Sequence, residues 1–205
     1  MSTIIFYTNP MSRGQIARWA LHEAGADYKQ VLLEYGTSMK ADDYLAINPM
    51  GKVPAIAHAD KVVTEGAAIC AYLAETFPEA GLAPAATELA DYFRWLFFAA
   101  GPLEAAITNR SLGFEIAPDK EMTAGYGNYE RVVDVLDAKF QADDYVCGSR
   151  FTMADVYVGA QVVWGTQFGT LPSRESFLAY AGRLTQRSAY LSAKAVDDAL
   201  IAKAS

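Results

Sequence analysis

A ligand lying across two stretches of this chain would meet free backbone groups, a helix N-terminus and a carboxylate. Asn48-Pro49-Met50-Gly51-Lys52-Val53-Pro54-Ala55-Ile56 is a loop that ends in Val-Pro ahead of an apolar strand. After a short gap, Thr64-Glu65-Gly66-Ala67-Ala68-Ile69 is a turn that opens a helix. With a cis bond before Pro54, Val53 would turn its N–H and C=O out of the sheet, where an extended peptide can pair with them. The structural alternative is a proline that merely starts a strand, where its missing N–H is harmless. In the second stretch, residues 66–68 would present unpaired N–H groups at a helix start, a seat for a carboxylate. Glu65 would accept from an amino group beside that carboxylate, and Gly66 would allow close approach. Taken alone, Glu65 serves the positive end of the helix dipole equally well.

A third candidate is Asn9-Pro10-Met11-Ser12-Arg13-Gly14, between the first predicted strand and its helix. Ser12 is placed to donate to an anion at a helix N-terminus, to cap that helix, or to do both. Nothing frames it as a protease nucleophile. There is no G-x-S-x-G, and His22 and His58 fall inside a predicted helix and strand as surface or packing residues. The loop also lacks the C-x-x-C of a dithiol oxidoreductase.

The elements around these stretches follow from periodicity and punctuation. A strand is expected over 4–7, stopped by Thr8-Asn9-Pro10. A helix over 13–24 carries Ile16, Ala17, Trp19, Ala20 and Ala24 at helical spacing and ends at Gly25. A second strand over 28–33 completes a βαβ unit with a right-handed parallel crossover. A short helix over 41–47, a hairpin of strands over 54–58 and 61–64, and a helix over 66–77 complete the first part. Residues 1–78 thus read as one α+β domain (βαβ–α–ββα), with 79–86 as a linker and 87–205 as an all-helical domain. In the second part, helices are expected over 87–109, kinked at Gly101-Pro102, and over 119–141, with Tyr126, Tyr129, Val133, Leu136 and Phe140 on one face. An apolar, central helix over 152–168 and two shorter ones over 173–187 and 189–202 follow. Thr152 and Asp155 have capping-box spacing, flanked by Phe151 and Val156 as a hydrophobic staple, a folding device rather than a catalytic pair.

Composition limits the alternatives. The 205 residues are 52% hydrophobic and carry a net charge of −7, which argues against a nucleic-acid partner. The N-terminus lacks a signal-peptide pattern, and no uncharged apolar run is long enough for a membrane span. Cys70 and Cys147 lie far apart and suggest neither a disulfide framework nor a metal site. A soluble, cytoplasmic protein without a metal is the expectation.

Together these features resemble the cytosolic glutathione transferase family, over essentially the whole chain. N-P-M-G-K-V-P-A-I followed by T-E-G-A-A-I is similar to that family's glutathione site. F-Y-T-N-P-M-S-R-G and I-C-A-Y-L-A-E resemble its bacterial beta- and theta-like members most. The resemblance implies a thioredoxin-like first domain that takes glutathione as co-substrate and a helical-bundle second domain with an apolar pocket. By that resemblance the Val53 backbone, ahead of Pro54, would pair with the cysteinyl part of glutathione. Glu65 and the Gly66 N–H would hold the γ-glutamyl end, and Lys52 or Lys40 the glycyl carboxylate. Ser12 matches the position of a catalytic Ser or Cys in such members. Tyr7 is the rival from animal classes, and Asn9 occupies the slot of their tyrosine when Arg13-Gly14 is matched. Met11, Phe97, Phe98, Gly101 and Glu104 would face a small hydrophobic electrophile. A homodimer is implied too, formed through the helix over 66–77 and an aromatic helix with Tyr92, Trp95 and Phe98, whose apolar surface exceeds what one core needs. A glutathione-dependent peroxide or disulfide reductase, and a non-catalytic binding module on the same fold, are the alternative functions.

Overall fold

A computed structural model describes residues 3–204. The expected domain ends at 1–2 and at 205 lie outside the described residues. The chain packs as two units, Met1–Ala83 with Gln186–Ser205, and Pro84–Thr185.

The first unit is a four-stranded sheet of order β2-β1-β3-β4, from β1 (Ile4–Thr8), β2 (Tyr28–Leu32), β3 (Ala55–His58) and β4 (Lys61–Thr64). β1 runs parallel to β2 and antiparallel to β3, as a βαβ unit followed by a hairpin requires. Alternation along β1 divides its side chains between two faces. Ile4, Phe6 and Thr8 are fully buried. The Phe6 ring lies under Arg18 of α1 (Gly14–Glu23), and α3 (Gly66–Thr76) packs against α1. Tyr7 instead packs with the buried cluster of Leu33, Met39, Tyr44 and Ala55, to which α2 (Asp42–Leu45) contributes Tyr44.

The expected membership of 87–205 in one helical domain does not match the packing. The last helix, α9 (Ser188–Ala204), packs on α1 of the first unit. The cause is a set of polar contacts distant in sequence. Arg18, with 0% of its side chain exposed, donates through Nε to Asp197 at 2.9 Å. Glu23 receives both Arg187 nitrogens, at 2.6 and 2.7 Å, and His22 meets the Ser192 hydroxyl at 2.7 Å.

The second unit contains α4 (Leu89–Phe98), α5 (Glu104–Ser111), α6 (Tyr129–Ala142), α7 (Met153–Phe168) and α8 (Glu175–Thr185). Around Gly101-Pro102 the ladder changes to a π-type segment, Ala99–Leu103, which absorbs the proline's missing donor between α4 and α5. The helix expected over 119–141 starts only at Tyr129. Asn128 caps it by accepting from Arg131 N–H at 2.9 Å, and Gly127, at φ 69°, breaks the backbone just before. Tyr126 therefore lies outside the helix, where its hydroxyl accepts from Asn109 at 3.0 Å. Tyr92 and Trp95 are core residues, so they do not supply the surplus apolar surface expected of α4. That surplus belongs to Leu89, Phe93 and Phe97.

The Thr152–Asp155 device is built as its spacing predicts. Asp155 Oδ2 accepts from Thr152 N–H at 2.8 Å and from the Thr152 hydroxyl at 3.1 Å, while Oδ1 accepts from Val146 N–H at 2.7 Å and Tyr180 at 2.9 Å. Phe151 and Val156 are both buried. Asp155 thus anchors the loop before α7 and α8 as well as the helix start. Asp155→Ala removes the cap and leaves buried donors unpaired, a loss of about 3 kcal/mol or more in urea unfolding. Burial lifts its carboxyl from 3.8 to about 6 against the pull of these donors. The folded chain therefore holds this proton more tightly than the unfolded chain. The contribution of Asp155 to stability is greatest below about pH 4 and declines as pH rises to about 6. Carbon-13 titration of the Asp155 carboxyl should give a midpoint near 6, and a midpoint at or below about 4 refutes this account.

Candidate functional site

Strand register brings the three candidate stretches to one end of the first unit's sheet. Ala55 pairs with Thr64 across the hairpin, which sets Val53-Pro54 beside Glu65-Gly66. Tyr7 pairs with Ala55, so the turn that follows Thr8 emerges at the same end.

The Val53–Pro54 bond is cis. The β3 ladder begins only at Ala55, and among the described residues no hydrogen bond engages the Val53 N–H or C=O. The loop before it is held by side chains. The Lys52 carbonyl accepts from the Tyr44 hydroxyl at 2.5 Å and from Asn48 Nδ2 at 2.9 Å, and Asn48 Oδ1 accepts from Met50 N–H at 3.1 Å. Burial raises the Tyr44 hydroxyl above its ordinary value, keeping it a donor. Lys40, a candidate for a ligand carboxylate, donates instead to the carbonyls of Met50 at 3.1 Å and Gly51 at 2.9 Å. Lys52 is exposed. Tyr44 escaped the sequence reading, and Asn48 was read there only as a break. Its polar side chain just before a proline was the available signal.

At the start of α3, Glu65 has φ 64° and ψ 119°, a left-handed backbone that a residue with a Cβ rarely adopts. Its carbonyl accepts from Ile69 N–H at 2.9 Å. The N–H groups of Gly66, Ala67 and Ala68 have no partner among the described residues. The Glu65 side chain is exposed and makes no cap bond, so it does not consume the donors it adjoins.

The turn into α1 is closed by its own side chains. Buried Asn9 donates through Nδ2 to the Leu33 carbonyl at 2.8 Å and accepts at Oδ1 from Met11 N–H at 2.9 Å. The Ser12 hydroxyl donates to the Asn9 carbonyl at 2.6 Å and accepts from Gly14 N–H at 2.9 Å. Gln15 donates to the Pro10 carbonyl at 2.6 Å. A Cβ on Gly14 would lie 2.0 Å from Thr8 Oγ1, so only glycine lets α1 approach β1 this closely. Tyr7 is half-buried, with its ring 5.5 Å from that of Tyr44 and on the same cluster as Val53.

The remaining candidates do not form one cluster within a unit. Met11 is exposed in the first unit. In the second, Phe97 and Gly101 are exposed, while Phe98 and Glu104 are half-buried, and Tyr157 reaches Glu104 at 3.5 Å. A cavity of about 720 Å³ in that unit is lined by Arg110, Phe114, Glu121, Tyr126 and Tyr129 among others, and by none of these candidates. Among the described residues no group of three or more His, Cys, Asp or Glu is arranged to hold a metal.

A mixed βαβ–α–ββα sheet with an unpaired Val-Pro backbone beside a helix start, followed by helices, defines a thioredoxin-like domain joined to an all-helical one. Residues 2–75 match the model of the glutathione S-transferase N-terminal domain. Over 173 residues the chain is 29% identical to glutathione S-transferase GstA of Escherichia coli O157:H7, covering 82% of this chain and 85% of that protein. It is 30% identical to glutathione S-transferase 3 of Zea mays, with 76% and 75% covered. A sphingomonad glutathione S-transferase complexed with glutathione superposes with a TM-score of 0.75 at 27% identity, over 95% of this chain and 98% of that one. The chain belongs to the glutathione S-transferase family.

Gly51 tests how the Val53 loop is held. It sits at φ 57°, and an added Cβ would lie 2.7 Å from the Met39 carbonyl and 2.8 Å from Lys40 Nζ. Gly51→Ala should cost about 1–2 kcal/mol from the backbone alone and more from displacing Lys40. Thermal unfolding of Gly51→Ala and Lys40→Met should show losses that overlap rather than add, because both dismantle the same bonds.

Proposed function

We propose that this protein binds glutathione along the sheet end just described and ionises its thiol for attack on a small hydrophobic electrophile. The observation that carries this reading is the pairing, by strand register, of the unengaged Val53 backbone with the unpaired amides of Gly66–Ala68. Those groups match the two ends of a γ-glutamyl peptide. Val53 pairs strand-fashion with the cysteinyl unit. The α3 amides take the γ-glutamyl carboxylate, while Glu65 receives the neighbouring ammonium. Lys52 faces the glycyl carboxylate, with Lys40 bracing the loop that carries it. The sulfur then lies near the turn that bears Asn9 and Ser12, with Tyr7 as the other hydroxyl nearby. The sphingomonad relative complexed with glutathione supports glutathione as the ligand.

In the reaction the thiol proton leaves, the thiolate attacks an electrophilic carbon, and that carbon's leaving group or π-bond accepts the electron pair. Holding both reactants and stabilising the thiolate supply most of the rate. Phe97, Phe98, Gly101 and Glu104 of the second unit are assigned to the electrophile. The free, buried Cys70 suits a reduced compartment such as the cytoplasm, where glutathione is available as the thiol. Among the described residues no helix is long and apolar enough to cross a membrane.

The protein should be retained on immobilised glutathione and eluted by free glutathione. Glu65→Ala should lose retention while keeping its thermal midpoint, since the side chain is exposed and uncommitted. A Glu65→Ala variant held as firmly as the native chain would overturn the assignment. We also propose a homodimer through the exposed Leu89 and Phe93, one turn apart on α4, together with α3. Sedimentation of the native chain as a monomer at micromolar concentration would sink this idea.

A further inference from the structure

Resting on the glutathione reading above, we infer that the group stabilising the thiolate is the backbone N–H of Ser12, and that the Ser12 hydroxyl is a brace of the turn. The hydroxyl has one proton, and that proton is given to the Asn9 carbonyl at 2.6 Å. One of its lone pairs is taken by Gly14 N–H at 2.9 Å. To donate to a sulfur, Ser12 would have to release the Asn9 carbonyl, which accepts from no other described residue and belongs to a buried asparagine. Leaving such a carbonyl unpaired works against the exchange. The Asn9 side chain is committed at both ends, to Leu33 and Met11.

The amides of the turn separate in the same way. Met11 N–H goes to Asn9 Oδ1, Gly14 N–H to the Ser12 hydroxyl, and Gln15 N–H to the Ser12 carbonyl. Ser12 N–H has no partner among the described residues. It stands just before α1, where the helix dipole favours a negative charge. The side chains fix the turn, so this donor can meet an anion without reorganisation, as in other sites where main-chain N–H groups stabilise an anion. The thiol proton passes to solvent, so no side chain has to act as its base.

The experiment follows the ultraviolet thiolate band of bound glutathione against pH. A free thiol ionises near 8.5, and the native protein should bring the midpoint below that value. Ser12→Ala, which keeps the amide, should hold the midpoint within about half a pH unit of native while its melting temperature falls. Ser12→Pro, which removes the N–H, should still be retained on glutathione resin through Val53 and Glu65 but return the midpoint towards that of the free thiol. Should the proline variant not fold, nitrogen-15 spectra of the native protein decide. The Ser12 amide proton should move downfield with glutathione and titrate with the thiol, and should stay unmoved with S-methylglutathione. A Ser12→Ala variant that is retained on the resin but ionises glutathione no better than water overturns the inference. So does an Ser12 amide indifferent to the thiol in a protein that binds glutathione. A native protein that is not retained at all removes the glutathione reading and this inference with it.

Discussion

A buried backbone polar group must find a partner, and in the first unit that requirement is met at one loop after another by side chains. Asn9 serves the Leu33 carbonyl, Tyr44 and Asn48 share that of Lys52, Lys40 spans those of Met50 and Gly51, and Gln15 takes that of Pro10. Among the described residues, Val53, Gly66–Ala68 and Ser12, all at one sheet end, keep main-chain groups without a partner. A ligand that is itself mostly peptide would supply the missing partners. The site is therefore a remainder of the folding problem, left open where the strands run out and two helices begin.

How much of this was legible in the sequence depended on how local the deciding interaction is. The βαβ unit, the hairpin and the Thr152–Asp155 cap are governed by residues a few positions apart, and they stand where periodicity and spacing put them. The stretch before α6 misled because Tyr126 continues the helical spacing of Tyr129 and Val133. Backbone freedom at Gly127 outweighed that pattern. Apolar side chains on α4 could be counted but not assigned to a face, since Tyr92 and Phe93 are neighbours with opposite fates. Lys40 entered as a candidate for the glycyl carboxylate through the family resemblance alone. Its bonds to two loop carbonyls depend on how the chain returns ten residues later.

The least legible feature joins residues 179 apart. Arg18 and Asp197 are both almost wholly withdrawn from water. Arg18 also donates to Tyr28 and Gln30 and lies over the Phe6 ring at 5.2 Å. Among the described residues, Arg18 Nη2 and Asp197 Oδ2 nonetheless have no hydrogen-bond partner, and burial holds the Asp197 carboxyl up at about 6. Such a pair adds little net stability over an apolar one of the same shape, since desolvation offsets its attraction. Its value lies in selectivity. An uncompensated guanidinium in that place is far worse than a paired one, so α9 has one docking position on α1 and few competitors.

That docking makes the first unit discontinuous, with the whole second unit inserted between Ala83 and Gln186. On the ribosome, the sheet and α1 emerge well before their last structural partner. Residue 197 follows residue 83 by 114 positions, or roughly 6–23 s of synthesis at ordinary elongation rates. Throughout that interval Arg18 lacks its counter-ion, and α1 presents an uncovered face to the cell. The first unit is thus begun before the second and finished after it, and its completion waits on a helix encoded more than a hundred codons downstream.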